Sequence, residues 1–375
     1  MTQSEAIAGS TPMTRLRSID ALRGFDMFWI VGGDGIAAAI GKLSHRPSIS
    51  AVTIQVSDHM QWAGFRFYDM IFPLFLFIIG VTLPFSIGRR MEAGHSKRDI
   101  LKKVLVRAAI LCLFGLVYNG VLDFHGWDHV RFFGVLQRQA FGYLMAGILF
   151  VTTKPKTQWI VFGLILVLYW ALLALAPVPG YGHGNYSEWG NFANYVDRQF
   201  LRPGQLYEKY GDPEGLVSML PSICTALLGL FAGRWLKSER APLEKVRGLV
   251  VGGVVSLGLG LAWSPLFPVI KKIWTSSYVL VAGGFSLLLL ALFYWVIDVR
   301  GWKKWSMPFV VIGMNSITIY MAARIVSFGD IAAFFLGGLN RALPAEKDLL
   351  MATGAVTVEW LFLYYLYRNK VFLRV

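Results

Sequence analysis

A histidine and an aspartate stand just ahead of the most apolar part of the chain. The stretch DHMQWAGFRFYDMIFPLFLFIIG places His59 about eight residues before an apolar run and Asp69 at the start of that run. A neutral imidazole can take a proton from an amine or a hydroxyl, and a nearby carboxylate can orient the ring and stabilise its charged form. The pair predicts a proton-transfer site. The alternative is that His59 is an ordinary surface or packing residue of a loop.

The composition indicates which solvent surrounds that histidine. Of the 375 residues, 55% are hydrophobic and only 15% are charged, against about 25% charged in an average soluble domain. A membrane span needs roughly 20 mostly apolar residues, and about ten windows satisfy that requirement. We therefore predict an all-α, polytopic helix bundle with spans near 25–43, 67–88, 104–123, 132–152, 157–176, 215–236, 246–268, 276–298, 307–326 and 349–367.

The placement of basic residues predicts the orientation of the bundle. Lys and Arg accumulate in cytoplasmic loops close to span ends. With the first segment inside, more than half of the 36 basic residues fall in inner segments. The first 24 residues lack the apolar centre of a signal peptide, so we expect both termini in the cytosol and segments 44–66 and 177–214 outside. The formal charge of +14 is then mainly a topology signal, and we expect no nucleic-acid partner.

Acidic and basic residues near the first span are further candidates for function, because charges inside a membrane usually face a cavity or a partner. Asp34 lies about ten residues beyond Gly24, deep in the first span. Arg23 precedes the span and stands three residues after Asp20, a spacing that also suits a purely structural ion pair.

Two later spans also contain polar groups. Gln137 and Arg138 interrupt the span in VRFFGVLQRQAFGYL, and an arginine held there could grip a phosphate or carboxylate or simply pair with an acidic residue. Asn315 lies in MNSITIY, where an amide could equally serve as interhelical hydrogen-bonding glue.

The chain is predicted to be a single domain over 1–375, since no repeat or separate module is visible. The longest connection, 177–214, is rich in Gly, Asn, Tyr and Trp. Aromatic and amide side chains suit stacking on sugar rings and bonding to their hydroxyls, so the loop is a candidate cap on an acceptor site. Aromatic anchoring at the membrane interface explains the same composition.

These features leave two classes of function. A transporter would use the interior charges to bind a sugar or related molecule and relay protons. An enzyme would use them for chemistry within or across the bilayer. No metal-ligand pattern is apparent, so neither reading calls for a metal.

A set of motifs favours the enzyme. The sequence resembles the heparan-α-glucosaminide N-acetyltransferase family of transmembrane acyltransferases. The resemblance rests on the pattern H-x-x-W-x-G-x-x-x-x-D-x-x-F-P, followed by G-V-L-Q-R and D-P-E-G, and it spans nearly the whole chain in family order. The segments that carry it are LRSIDALRGFDMF, HMQWAGFRFYDMIFPLFLFIIG, VRFFGVLQRQAFGYL, YGDPEGLVSMLPSICTALLGLFAG, WTSSYV and PFVVIGMNSITIY.

The resemblance implies a helix bundle in which acetyl-CoA enters from the cytosol and its acetyl group reaches an amino sugar or glycan on the outer face. It makes His59 the active-site residue and puts Arg138 along the donor path. From the remaining motif positions and nearby polar residues, we assign Asp34 and Asp69 to catalysis, Gln137, Arg23 and Asn315 to the donor, and Trp62, Asp212 and Glu214 to the acceptor.

The chain departs from the lysosomal member of the family in two ways. Asp34 stands where that enzyme has an asparagine, so Asp34 is protonated, or acts as an accessory base, or leaves an oxyanion to other donors. The chain also resembles the catalytic bundle alone, as bacterial members do, which implies a bacterial cytoplasmic membrane with its lipid as surroundings. A homodimer is implied only by analogy with the lysosomal relative.

Overall fold

The computed structural model describes residues 16–44, 46–123 and 126–373. Within these ranges the chain is helical, and its only β-type pairings are three isolated bridges. The predicted all-α class is confirmed. The helices are α1 (Arg17–Phe28), α2 (Asp34–Ser44), α3 (Pro47–Ser57), α4 (Ile71–Glu92), α5 (Lys97–Tyr118), α6 (Val135–Thr152), α7 (Pro155–Leu175), α8 (Phe192–Phe200), α9 (Met219–Lys237), α10 (Pro242–Trp263), α11 (Ser276–Phe293), α12 (Met307–Met314), α13 (Ser316–Ile325), α14 (Phe328–Ala342) and α15 (Lys347–Arg368).

Six helical stretches in the described residues are long and apolar enough to cross a membrane. They contain α4, α7, α9, α10, α11 and α15, and the bent pair of α12 and α13 would make a seventh. The expectation of about ten spans is thus confirmed only in part. The windows 25–43, 104–123 and 132–152 are largely helical, but charged residues such as Asp34, Arg107 and Arg138 interrupt their apolar sequence. Both chain termini lie outside the described residues, so their orientation stays a prediction.

The spans divide into central and peripheral helices. The apolar windows containing α4, α9 and α11 are 72%, 78% and 67% buried, whereas those of α7, α10 and α15 are 22%, 22% and 11% buried. Apolar side chains on the peripheral helices are therefore exposed, as lipid-facing surfaces require. The segments just before α4 and α11 carry Asp69 and Lys271, which contact His59.

Close backbone contact joins α4 to α9. A Cβ added to Gly80 would lie 2.0 Å from the carbonyl oxygen of Ala226, and one added to Gly229 would lie 1.9 Å from that of Phe77. Small residues at helix crossings let backbones approach where lipid offers no hydrophobic drive for association. This crossing fixes the spacing of the two central helices.

The helices α4, α6, α9 and α11 all begin at one end of the bundle. Arg138, early in α6, bonds to Ser218 at the start of α9, and Tyr278, in the first turn of α11, bonds to Asp69 just before α4. At the other end, Lys237 of α9 contacts Glu92 of α4. We call the first end the His59 face and the second the opposite face.

The segment 177–214 lies on the His59 face. It contains α8, and it packs Ala193 against Tyr169 and Phe267. Trp62 joins it to the loop of His59, because the indole Nε1 donates to the carbonyl oxygen of Tyr186 at 2.8 Å. Segments 44–66 and 177–214, both expected on the outer side, thus lie on one face of the bundle. The role of 177–214 as a cap stays a prediction.

Candidate active site

His59 and Asp69 are in direct contact. His59 Nδ1 lies 2.9 Å from Asp69 Oδ1. The other carboxylate oxygen of Asp69 accepts the backbone N–H groups of Arg66 at 3.0 Å and Met60 at 3.2 Å. Asp69 is fully buried, whereas the side chain of His59 is 48% exposed. The carboxylate is therefore fixed by the backbone and presents one oxygen to the imidazole.

This contact selects the form of the imidazole that can act as a base. When Nδ1 carries the proton and donates it to Asp69, Nε2 keeps its lone pair and points away from the carboxylate. A carboxylate in this position also stabilises the imidazolium that forms when Nε2 takes a proton. The geometry suits general-base chemistry at Nε2.

Asp34 reaches the same site through Tyr68. The Tyr68 ring stacks on the His59 ring with centroids 4.6 Å apart, and its hydroxyl donates to Asp34 Oδ2 at 3.0 Å. Asp34 begins α2, directly after a π-helical turn in which Gly32 has a φ of 154°. Asp34 is therefore linked to the imidazole through Tyr68, whose hydroxyl it accepts and whose ring stacks on His59.

Lys271 completes the cluster, and the sequence motifs did not identify it. Its Nζ lies 2.9 Å from His59 Nδ1, 3.2 Å from His59 Nε2 and 3.6 Å from Asp69 Oδ1. Burial lowers the pKa of Lys271 to about 8, although the Asp69 carboxylate acts in the opposite direction. The only signal in the sequence is its position three residues before the motif WTSSYV.

Asp212 and Glu214 are engaged with an arginine. Arg131 donates to both oxygens of Asp212 at 2.8 and 2.7 Å and to Glu214 at 2.6 Å. Burial alone would lower the pKa of Arg131, but these carboxylates outweigh it and raise the pKa. The D-P-E-G carboxylates therefore hold the loop before α6, and their contact with an acceptor stays a prediction, as does that of Trp62.

Arg138 lies deeper in the bundle and is fully buried. Its guanidinium sits 4.4 Å from the centre of the Trp274 ring and donates to Ser218, while its Nε and Nη1 have no hydrogen-bond partner among the described residues. Trp274 in turn packs edge-on against Tyr278, whose hydroxyl donates to the Asp69 carbonyl oxygen. Arg138 thus has donors to spare and is linked by packing to the His59 site.

Gln137 is buried beside Arg138, with neither atom of its amide group bonded in the described part of the chain. A Cβ at Gly115 of α5 would lie 2.3 Å from the Gln137 Oε1 atom, so this amide faces the crossing of α5 and α6.

A cavity of about 480 Å³ opens in the half of the bundle toward the opposite face. Arg23 lies in its wall and pairs with Asp20 at 3.7 Å. The wall also includes the polar residues Arg89, Arg107 and Gln139 and the apolar residues Phe372 and Leu373.

Asn315 acts on this cavity indirectly. It interrupts α12 and α13, which meet at a bend of 73°. Its Nδ2 donates to the Val371 carbonyl oxygen at 3.1 Å, and its Oδ1 accepts from the Leu373 backbone N–H at 3.3 Å. The amide thereby holds the C-terminal segment 371–373 against the cavity.

The candidate residues thus form three groups. His59, Asp69 and Asp34, with Tyr68 and Lys271, meet at the His59 face. Arg138 occupies the interior, and Arg23 lies with the segment held by Asn315 at the opposite cavity. Fold and site together define a helical membrane protein with a candidate proton-transfer site at one end of its bundle and a basic cavity toward the other.

Comparison with known proteins identifies the family. Residues 15–260 match the family described as heparan-alpha-glucosaminide N-acetyltransferase, catalytic, and the chain belongs to that family. The predicted family resemblance is confirmed, and with it the class of transmembrane acyltransferases.

Two relatives carry the name heparan-alpha-glucosaminide N-acetyltransferase. The human protein is 27% identical over 421 aligned residues, which cover 96% of this chain and 60% of the human protein. The mouse protein is 28% identical over 373 residues, covering 84% of this chain and 56% of the mouse protein. The chain therefore spans less than two thirds of the length of either relative.

Proposed function

We propose that this protein transfers an acetyl group from acetyl-CoA to an amino sugar or glycan acceptor, and that transfer takes place at the His59 face. The observation that carries the proposal is the contact between His59 Nδ1 and the backbone-anchored carboxylate of Asp69, at 2.9 Å. Membership of an N-acetyltransferase family supplies the class of reaction.

The chemistry at His59 follows from its geometry. The acceptor nitrogen attacks the thioester carbonyl carbon, and a C–N bond forms while the carbonyl electrons move to oxygen. His59 Nε2 takes a proton from that nitrogen. The C–S bond then breaks, CoA leaves as a thiolate, and His59 returns the proton to sulfur. A hydroxyl acceptor would react in the same way to give an ester.

A route through an acetylated His59 uses the same groups. Nε2 would then attack the thioester itself, and the acceptor would remove the acetyl group in a second step. Because Nδ1 is held by Asp69, both routes use Nε2. Trapping of labelled acetyl on the protein in the absence of acceptor distinguishes them.

The cavity toward the opposite face suits the donor. CoA carries phosphates at its nucleotide end, and arginine is well matched to phosphate. Arg23, Arg89 and Arg107 line the cavity. Arg107 also lines a shallow surface groove with Lys102 and Lys103 of α5. The nucleotide would lie among these groups, with the thioester directed past Arg138 toward His59.

The acceptor would approach from the opposite direction. Trp62, on the loop of His59, packs edge to face against Tyr210 of segment 177–214 with ring centroids 5.7 Å apart. Lys272, next to Lys271, donates to the Tyr210 hydroxyl. Such aromatic faces suit a sugar ring. We assign the protein to a bacterial cytoplasmic membrane, with the His59 face outward and the basic cavity in the cytosol.

The proposal is tested with detergent-purified protein, labelled acetyl-CoA and glucosamine. We expect saturable binding of acetyl-CoA and transfer of label to the amine, with His59→Ala losing transfer and keeping binding. His129→Ala, which changes an exposed histidine between α5 and α6, is the matched control and should transfer normally.

Undiminished transfer by His59→Ala would overturn the assignment of the base. Folded protein that binds no acyl-CoA would overturn the acetyltransferase reading. Sugar flux into proteoliposomes without CoA would then favour a proton-coupled transporter.

A further inference from the structure

Lys271 touches the imidazole more closely than it touches the carboxylate. Its Nζ lies 2.9 Å from the nearest ring nitrogen of His59 but 3.6 Å from Asp69 Oδ1. Asp69 already accepts hydrogen bonds from the Arg66 and Met60 backbones and from the His59 ring. The carboxylate is therefore satisfied without the lysine, and an ion pair that merely stabilises the fold does not account for its position.

The loop that carries Lys271 is anchored on both sides. Ala63 and Ile270 form a β-bridge, and the Gly64 backbone N–H donates to the Val269 carbonyl oxygen at 2.8 Å. Thr275 Oγ1 accepts from the Ile270 N–H at 3.0 Å and caps the start of α11. The backbone of Lys271 is thus tied to the same segment that holds His59.

The neighbouring lysine behaves differently. Lys272 donates to Tyr210 Oη at 2.6 Å and to Glu208 Oε1 at 3.1 Å, so its ammonium group is bonded to two residues of segment 177–214. Among the described residues, Lys271 instead contacts only the imidazole and Asp69, and its side chain is 19% exposed. Of these two adjacent lysines, Lys272 bonds to segment 177–214 and Lys271 faces His59 and Asp69.

We infer that Lys271 is a catalytic residue whose ammonium donates a hydrogen bond to the acetyl carbonyl oxygen as that oxygen becomes an oxyanion. The inference rests on the proposed acetyl transfer. As the C–N bond forms, negative charge moves to the carbonyl oxygen, and a positioned donor lowers the energy of that state. When the C–S bond breaks, the charge passes to sulfur and the oxygen becomes neutral again. The lysine keeps its proton throughout.

Lys271 can also provide the hydrogen-bond donor to the oxyanion that an ionised Asp34 cannot provide. An amide at that position could donate to an oxyanion, whereas an ionised carboxylate cannot. Asp34 accepts the hydroxyl of Tyr68 and offers no donor of its own when ionised. Lys271 supplies that donor, with its Nζ 3.2 Å from His59 Nε2.

The test compares Lys271→Met, Lys271→Arg and Lys272→Met in the transfer assay. Loss of one oxyanion donor costs about 100-fold to 1,000-fold in turnover. We expect Lys271→Met to lower kcat by that factor while KM for acetyl-CoA changes little. Lys271→Arg should recover part of kcat, because a guanidinium also donates. Lys272→Met removes a bond to Tyr210, a residue of the proposed acceptor site, so it should raise KM for the acceptor while keeping kcat within a few-fold.

The pH profile gives a second readout that a structural role would not move. The ammonium is needed, so kcat should fall as pH rises through about 8, the pKa of Lys271. The groups that face it are His59, Asp69, Glu214 and Lys272. This alkaline fall should be absent from the residual activity of Lys271→Met and displaced upward in Lys271→Arg.

Three results would overturn the inference. A kcat of Lys271→Met within twofold of that of the unchanged protein would rule out the donor role. A fall in acetyl-CoA binding that matches the fall in transfer makes the lysine a binding or structural residue. Absence of transfer by the unchanged, folded protein overturns the proposed function itself and the inference with it.

Discussion

Asp69 presents one carboxylate oxygen to His59 Nδ1 at 2.9 Å and the other to two backbone N–H groups. The carboxylate is thus fixed before it meets the imidazole. Since a buried aspartate held in this way can only accept, it sets which ring nitrogen carries the proton.

Replacing Asp69 with Asn should reverse that choice. The amide oxygen would accept from the Arg66 and Met60 backbones, and the NH₂ group would face His59 Nδ1 and place the proton on Nε2. We expect kcat to fall by about 10²-fold to 10⁴-fold, with acetyl-CoA binding retained. Asp348→Asn, which alters an exposed pair with Lys42, should have no effect. Normal turnover in Asp69→Asn would remove the orienting role.

Asp34→Asn should be tolerated. The amide oxygen can still accept the Tyr68 hydroxyl that Asp34 accepts at 3.0 Å, so the ring stacked on His59 keeps its position. We expect kcat within about tenfold, and a larger loss in Asp34→Ala, which leaves the hydroxyl without this acceptor. Loss of all transfer in Asp34→Asn would instead make Asp34 a proton-transfer group.

Arg131→Met should destabilise the fold strongly. It leaves the carboxylates of Asp212 and Glu214, 0% and 11% exposed, without their cation. Removing one partner of a buried ion pair costs about 3–5 kcal/mol, which thermal unfolding in detergent would reveal. The control Arg202→Met breaks an exposed pair with Asp128, and exposed pairs contribute only about 0–1 kcal/mol. Equal stability of the two variants would contradict the role of Arg131.

Asn315→Ala should release the segment 371–373. Two hydrogen bonds hold that segment, and its Phe372 and Leu373 form part of the cavity wall. We expect faster amide hydrogen exchange there and acetyl-CoA binding weakened by about tenfold, because part of the wall is lost. Asn369→Ala, an exposed helix end that bonds to the Tyr365 carbonyl oxygen, is the control. Unchanged exchange and binding would separate Asn315 from the cavity.

Gly229→Ala should force α4 and α9 apart. The added methyl would lie 1.9 Å from the Phe77 carbonyl oxygen, and overpacking of this kind costs about 1–3 kcal/mol or more. Gly258→Ala in α10 places the added atom more than 4 Å from every neighbouring atom of the described residues, so it should be neutral or slightly stabilising. Thermal unfolding of both variants checks the crossing, and no difference between them would argue against it.

The sequence by itself determined the class of fold and singled out His59 and Asp69 as candidate site residues. Long apolar windows allow only helices in a membrane, since every backbone group must be bonded within its own segment. The spacing from His59 to Asp69 is short, so local chain geometry could bring them together, and the motif around them pointed to the family.

Only the tertiary structure decided which residues distant in the chain contact one another around His59 and Asp69. Lys271 stands 212 positions after His59, and nothing in local patterning distinguishes it from the adjacent Lys272. Arg131, 81 and 83 positions before Asp212 and Glu214, is bonded to both carboxylates, and no local pattern in the sequence predicts that pairing. Charged groups far apart in the chain are matched by packing of the helices, because burying a charge is tolerated only where a partner or a cavity meets it.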